Sequence, residues 1–289
     1  MLAEIFSIAY QFADVFAFLV LAAAGLAIIF GMMGIINLAH GEFIVLGSYA
    51  TVVAMRLGCN VWPAMLLVAP LAVGLYGLIV ERTIIQWLYG RTIDTMLATW
   101  GLSLATVGGL SMIFGTTTTG VPNPLGSMAI GTYRVGAYGL FVIAITMLLF
   151  LVLYGVLRFT RAGLIVRGAM QSADIAAALG HSPKTIYMVT FVVGSMIAGL
   201  AGGVLAPVIG LTPNAGGHFI AKTFITVITG GASVVAGSVA ASAFLGTVDK
   251  VFDSLATPVV GEIALLLAAV VLLRVLPQGI TSRWFKGAV

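Results

Sequence analysis

Two stretches concentrate the residues able to do chemistry in an otherwise apolar chain. Gly31–Ile44 holds Asn37, His40 and Glu42, and Pro213–Ile220 holds Asn214 and His218. An imidazole and a carboxylate this close can relay a proton. Ionisable groups inside a membrane segment are costly enough that they face a cavity or a partner. The alternative is structural, because Glu42 near the start of a helix at Phe43 is favoured by the helix dipole alone. Both stretches run from Asn through glycine and histidine to Phe-Ile and a new apolar run, with spacings that differ by one residue. Paired interruptions point to a transport site, since unwound backbone at membrane depth is tolerated only within protein or beside water. The candidate translocation residues are Asn37, His40, Glu42, Thr99, Trp100 and Asn214.

Catalysis finds little support. His40, His181 and His218 lack metal-ligand spacing, and no Gly-x-Ser-x-Gly elbow occurs. Cys59 is alone, which excludes an intrachain disulfide and a cysteine-only metal site. Gly216–Thr223 imitates a phosphate-binding loop, but Ala221 stands where the second glycine is needed. The expectation is a chain with no catalytic residue, no metal and no cofactor of its own. Glu262 reads either as interfacial or as a partner for Lys222 or Lys250. Asp249, Lys250 and Asp253 read as a locally paired external edge.

The elements that must position these residues are membrane helices. Of 289 residues, 61% are hydrophobic and 8% charged, where a soluble domain carries about a quarter charged. Mean hydropathy is +1.18. Runs of about 20 apolar residues span a bilayer, and they predict spans near ~12–30, ~43–57, ~63–80, ~95–114, ~138–157, ~186–209, ~219–250 and ~258–276, the seventh long enough to be a pair of short helices. The net charge of +4 comes from scattered basic residues, a topology signal rather than a nucleic-acid footprint. Arg82 and Arg91, then Arg158, Arg161, Arg167 and Lys184, then Arg274, Arg283 and Lys286 mark cytoplasmic regions. Gly58–Trp62, Gly115–Ala137 (with Thr118) and Gly210–Gly217 are expected outside, as is an N-terminus without a cleavable leader. An outer N-terminus and an inner C-terminus require an odd number of crossings, seven or nine. The fold expected is an all-α polytopic helical bundle with broken or re-entrant segments, one transmembrane domain over 1–289. Gly199–Gly203 and Ala236–Ala243 suit close helix packing.

The longest cytoplasmic connection, about 158–184, carries an Ala-rich helix over Asp174–Leu179. Gly180 suits its C-terminal stop and Pro183 its termination. A rigid short helix suits a subunit that receives force from a cytoplasmic motor. Asp174, Ala176, Ala177, Ala178, Leu179 and Gly180 are the candidate contacts, with the alanines and Leu179 entering a groove.

These residues resemble a known family. Gly34–Glu42 is similar to the Asn-x-Ala-His-Gly-Glu signature of permease subunits in ABC importers of branched-chain amino acids, urea and short-chain amides. The helix ending at Leu179-Gly180 resembles the family's coupling loop, although Asp174-Ile-Ala-Ala replaces the usual Glu-Ala-Ala start. Gly230-Gly231 with Gly237 resembles its late glycine turn, and Leu276–Ile280 its C-terminal signature. The resemblance covers nearly the whole chain. It implies a multi-pass protein of the bacterial inner membrane with a second homologous permease, two cytoplasmic ATPases that hold ATP and Mg, and a periplasmic solute-binding protein. Leu97–Gly101 looks more like the urea and amide branch, and a pathway with few charges suits a neutral solute. Urea or a short-chain amide is therefore the expected substrate, and a branched-chain amino acid the alternative. A secondary transporter using His40 and Glu42 as a relay, or a passive channel with Asn37 and Asn214 at a constriction, stands as the other class. Neither accounts for the coupling helix.

Overall fold

The structure is a computed structural model that describes residues 2–117, 120–130, 133–231 and 233–281. Thr118, Arg283 and Lys286 lie outside the described residues, as does the side chain of Arg134. Among the described residues twelve helices dominate: α1 Leu2–Met33, α2 His40–Arg56, α3 Val61–Pro63, α4 Ala69–Thr83, α5 Thr92–Phe114, α6 Ala137–Phe159, α7 Arg161–Gln171, α8 Ala173–Ala178, α9 Pro183–Leu205, α10 Gly216–Gly230, α11 Val234–Leu255 and α12 Pro258–Val275. A short antiparallel hairpin, β1 Ser127–Ile130 and β2 Tyr133–Gly136, precedes α6. A wide π-type turn, Ala64–Val68, joins α3 to α4 just before Pro70, which has no N–H to continue the ladder.

Seven helical segments among the described residues are long and apolar enough to cross a bilayer. The helices α2 and α10, of 17 and 15 residues, are shorter than these seven. The chain is a polytopic all-α membrane protein with broken segments. The expected long run ~219–250 is divided at Gly231 (φ 84°) into α10 and α11. The P-loop look-alike at 216–223 is the first two turns of α10.

The chain divides into two compact units. The first comprises 1–23, 122–152 and 222–289. Its core is Leu19, Leu245, Leu265 and Ala269, with Val15, Phe18 and Ile225 packed around them. Lys222 pairs with Glu262 at 2.7 Å, and Lys250 with Asp253 at 2.7 Å. The C-terminal segment closes over the α10–α11 turn. Ile280 N donates to Thr229 O (2.9 Å) and the Thr281 hydroxyl to Gly230 O (2.6 Å). A Cβ on Gly231 would stand 2.6 Å from Gln278 O. The late glycine turn and the C-terminal signature are thus two halves of one clasp.

The second unit comprises 24–121 and 153–221. Here α9 packs against α2 and α4. The buried Phe43 ring meets Tyr76 and Phe191 edge-on, at 5.4 and 6.1 Å. Lipid gives helices no hydrophobic reason to associate, so close backbone approach and interhelical hydrogen bonds must do it. A Cβ on Gly202 would overlap the Ile44 carbonyl. The same approach lets the Ser48 hydroxyl reach Gly202 O at 2.7 Å.

Candidate functional site

The first interrupted stretch is a break between α1 and α2. Gly34 takes φ 63°, a left-handed conformation that glycine adopts without a steric cost. The chain then runs unwound to His40. Its freed backbone groups are satisfied from two directions. Asn37 Oδ1 accepts from Ala39 N at 3.0 Å. From α5, Thr99 Oγ1 accepts from Leu38 N at 3.1 Å and donates to Thr95 O at 2.8 Å. Asn37, His40 and Thr99 are fully buried and Glu42 almost so.

Glu42 sits in the first turn of α2. Its carboxylate also lies against Gly216, the first residue of α10, where a Cβ would come within 2.6 Å of Oε1. A Cβ on Gly41 would overlap the Gly216 carbonyl. The two interrupted stretches, which the sequence pairs only by a loose echo, therefore meet backbone to backbone. Two helix amino ends face one carboxylate, and each favours its negative charge. Ser103 of α5 hydrogen-bonds the carboxylate, while Glu42 Oε2 and Asn37 Nδ2 are buried without a hydrogen-bond partner. Unsatisfied buried polar atoms are rare and costly in a folded chain.

One helix supplies most of the remaining polarity. Thr95, Thr99, Ser103 and Thr106 recur every three or four residues along one face of α5. Thr106 shares a hydrogen bond of 2.8 Å with Tyr76 of α4. Off that face, Leu97 is 60% and Trp100 56% exposed. Trp100 is thus not brought to the Asn37–Glu42 cluster. Asn214 lies in the 3-10 turn Pro213–Ala215, which packs on α5 and α2, but its side chain is exposed. Ser103, Thr106 and Tyr76 were missed by the sequence reading, although the three- and four-residue spacing on α5 was there to be seen.

The 158–184 connection contains two helices, α7 and α8, rather than one. Ser172 caps α8 by accepting from Ile175 N, and Gly180 (φ 87°) stops it, with His181 N bonded to Ala176 O at 3.0 Å. Pro183 does not end a helix. It opens α9, where its missing N–H costs nothing, behind the Ser182 cap. The groove-entering surface also needs correction. Ala176 is buried, because helical period turns it onto α7 and α9, with which α8 packs. The exposed apolar residues are Ile175, Ala177, Ala178 and Leu179, beside Asp174 and Gly180.

A second feature missed from sequence stands near the start of α9. Glu81, 2% exposed at the end of α4, accepts from the Tyr89 hydroxyl, and the Tyr89 ring meets Tyr187 edge-on at 5.1 Å. Tyr187 is one turn into α9. Burial first, then the Glu81 carboxylate, pushes the Tyr89 phenol above its ordinary range. Arg56 is not among the basic residues assigned to a side of the membrane above. It is exposed in the last turn of α2, at the end expected outside.

Comparison with known proteins gives this geometry a setting. The profile of the family described as branched-chain amino acid transport system, permease component, matches residues 8–276. The high-affinity branched-chain amino acid transport system permease protein LivH of Salmonella typhimurium is 25% identical over 91% of each chain. The corresponding protein BraD of Pseudomonas aeruginosa is 26% identical over 79% of this chain and 80% of that one. Among solved structures, PsaBC from Streptococcus pneumoniae in complex with Fab superposes with a TM-score of 0.51 over 96% of this chain and 93% of that one. At 12% identity that likeness speaks to fold alone.

Proposed function

This chain belongs to the branched-chain amino acid transport permease family, and on that premise we propose that it forms one half of the translocation pathway of an ATP-driven importer of branched-chain amino acids. It is a multi-pass transport subunit of the inner membrane, not an enzyme. The observation that carries the substrate is the family match across 8–276, joined by relatives whose names specify branched-chain amino acids. These weigh against urea or a short-chain amide. The stretch that favoured the amide branch, Leu97–Gly101, also presents Leu97 and Trp100 away from the buried polar face of α5.

The proposed pathway includes the break at Asn37–Glu42 with Thr99 as its support. The exposed Trp100 and Asn214 are proposed to join the path together with a second permease subunit. ATP and Mg bind on two partner ATPases that receive α8, and a substrate-binding protein delivers from outside. The buried, unpartnered Glu42 Oε2 and Asn37 Nδ2 support a region that changes partners during transport. The test is reconstitution with the partner ATPases and binding protein in proteoliposomes. ATP-dependent uptake of leucine, isoleucine or valine is expected, with none of urea or acetamide. Uptake of urea alone, or uptake driven by a proton gradient without nucleotide, would reverse the assignment.

A further inference from the structure

Glu81 is a buried carboxylate at the end of α4, and its ion-pair neighbour is the exposed Arg82, at 3.7 Å. A buried carboxylate is costly unless it is well bonded. The Tyr89 hydroxyl, which donates to Oε1, supplies that bond and so fixes Tyr89 to the end of α4. Tyr89 follows the 3-10 turn Ile85–Trp87 in the connection from α4 to α5. Its ring meets Tyr187 edge-on at 5.1 Å. Tyr187 lies one turn into α9, the helix on which α8 packs. One ring contact therefore separates the helix that carries α8 from the α4–α5 connection.

The next links run along α5. The carbonyl of Leu88, beside Tyr89, accepts from the Thr95 hydroxyl at 3.1 Å, which it shares with Arg91 O at 2.8 Å. Thr95 O accepts from the Thr99 hydroxyl at 2.8 Å, and Thr99 Oγ1 accepts from Leu38 N at 3.1 Å, within the unwound break. Thr95 and Thr99 are fully buried. Away from water these bonds have no substitute partner, so a shift of one donor is felt by the next. Every link lies within the second unit, 24–121 with 153–221.

We infer that Tyr89 is a positioning residue that carries movement of α8 to the break at 34–40, through Tyr187 on one side and Leu88, Thr95 and Thr99 on the other. This rests on α8 meeting the ATPase, as proposed above, and adds the route from that contact to the pathway. Residues on one route share their energy, which is what distinguishes a relay from mere position between two sites.

Two links can be cut separately. Tyr89→Phe keeps the ring against Tyr187 and removes the bond to Glu81. Thr95→Val removes the hydroxyl, and Thr95→Ser keeps it. In the complete importer in proteoliposomes, with saturating binding protein, leucine uptake per ATP hydrolysed should fall about fivefold in Tyr89→Phe and in Thr95→Val, and stay near wild type in Thr95→Ser. The double variant should be no lower than the poorer single variant, because both cut one line. Hydrogen exchange of the 34–40 backbone supplies a readout that a merely structural role would not move. ATP with vanadate should change it in the wild type and leave it unchanged in both single variants. Should Tyr89→Phe fail to assemble, the Thr95 pair carries the same test. Losses that multiply in the double variant, a loss in Thr95→Ser as large as in Thr95→Val, or a vanadate response at 34–40 that survives both cuts would overturn the relay. Ala177→Glu tells the two failures apart. If it keeps stimulated ATP hydrolysis, α8 is not the ATPase contact and the relay falls with that reading. If it loses stimulation while Tyr89→Phe couples normally, the relay alone is wrong.

Discussion

Two interruptions of the helical run use the same elements for opposite ends. At 34–42 the break is buried, polar and tied to distant parts of the chain: Thr99 of α5 holds Leu38, and Gly216 of α10 receives Glu42. At 172–183 the break is largely exposed, apolar outside and capped by its own residues, with Ala176 alone buried, packed on α7 and α9. Ser172, Gly180 and Ser182 lie within a few residues of the groups they satisfy. A self-capped segment keeps its shape whatever the rest of the protein does, which suits a lever presented to a partner. A segment capped from elsewhere changes when its supports shift, which suits a pathway that must open and close. On this contrast rests the proposal that one region is a conduit and the other a coupler.

The largest effect should come from wedging the buried region apart. Gly202→Leu drives a side chain into the Ile44 carbonyl and should cost about 3 kcal/mol or more. The complex should then fail to assemble in detergent. The same substitution at the exposed Gly217, where an added Cβ has nothing within 4 Å, should leave assembly unchanged, and equal losses would erase the distinction.

Next in size is His40→Ala. Uptake should fall on the order of tenfold, equivalent to ~1.4 kcal/mol, in complexes that assemble normally. Normal uptake per assembled complex, with poor assembly, would return His40 to a purely structural role.

Smaller still is Thr99→Val, which removes the acceptor for Leu38 N. Leaving a buried donor unpaired costs about 1–3 kcal/mol, visible as a lower midpoint in thermal unfolding and altered uptake. Ser172→Ala should be the mildest. An exposed N-cap is worth roughly 1 kcal/mol, and its loss should fray α8 without changing uptake specificity. If Ser172→Ala destabilised the whole protein more than Thr99→Val, the exposed segment would not be independent.

The same contrast explains what the sequence makes legible. The helix α8 is written in local code: Ser172 at the cap, alanines between, Gly180 after, all within ten residues. Composition likewise announces the membrane helices. The support of the pathway break is not local. Nothing in Gly34–Glu42 says that Thr99 caps it, and a single missing residue in the echo between the two stretches hides that Gly41 and Gly216 touch. Ala176 shows the remaining limit. Its type suits a groove contact, but only the helical phase decides that Ile175 and Leu179 face out while Ala176 faces in. Pro183 fits either a helix end or a helix start, and the Ser182 cap settles it.

Stimulation of ATP hydrolysis by loaded binding protein separates conduit from coupler most directly. Ala177 is exposed on α8, so Ala177→Glu leaves the fold intact but buries an unpaired charge in any groove that receives the helix, at a cost of several kcal/mol. In reconstituted importers, Ala177→Glu should lose the stimulation, whereas His40→Ala should keep it and lose uptake alone. Wild-type stimulation in Ala177→Glu would contradict the account, because the exposed helix would then not be the part that meets the motor.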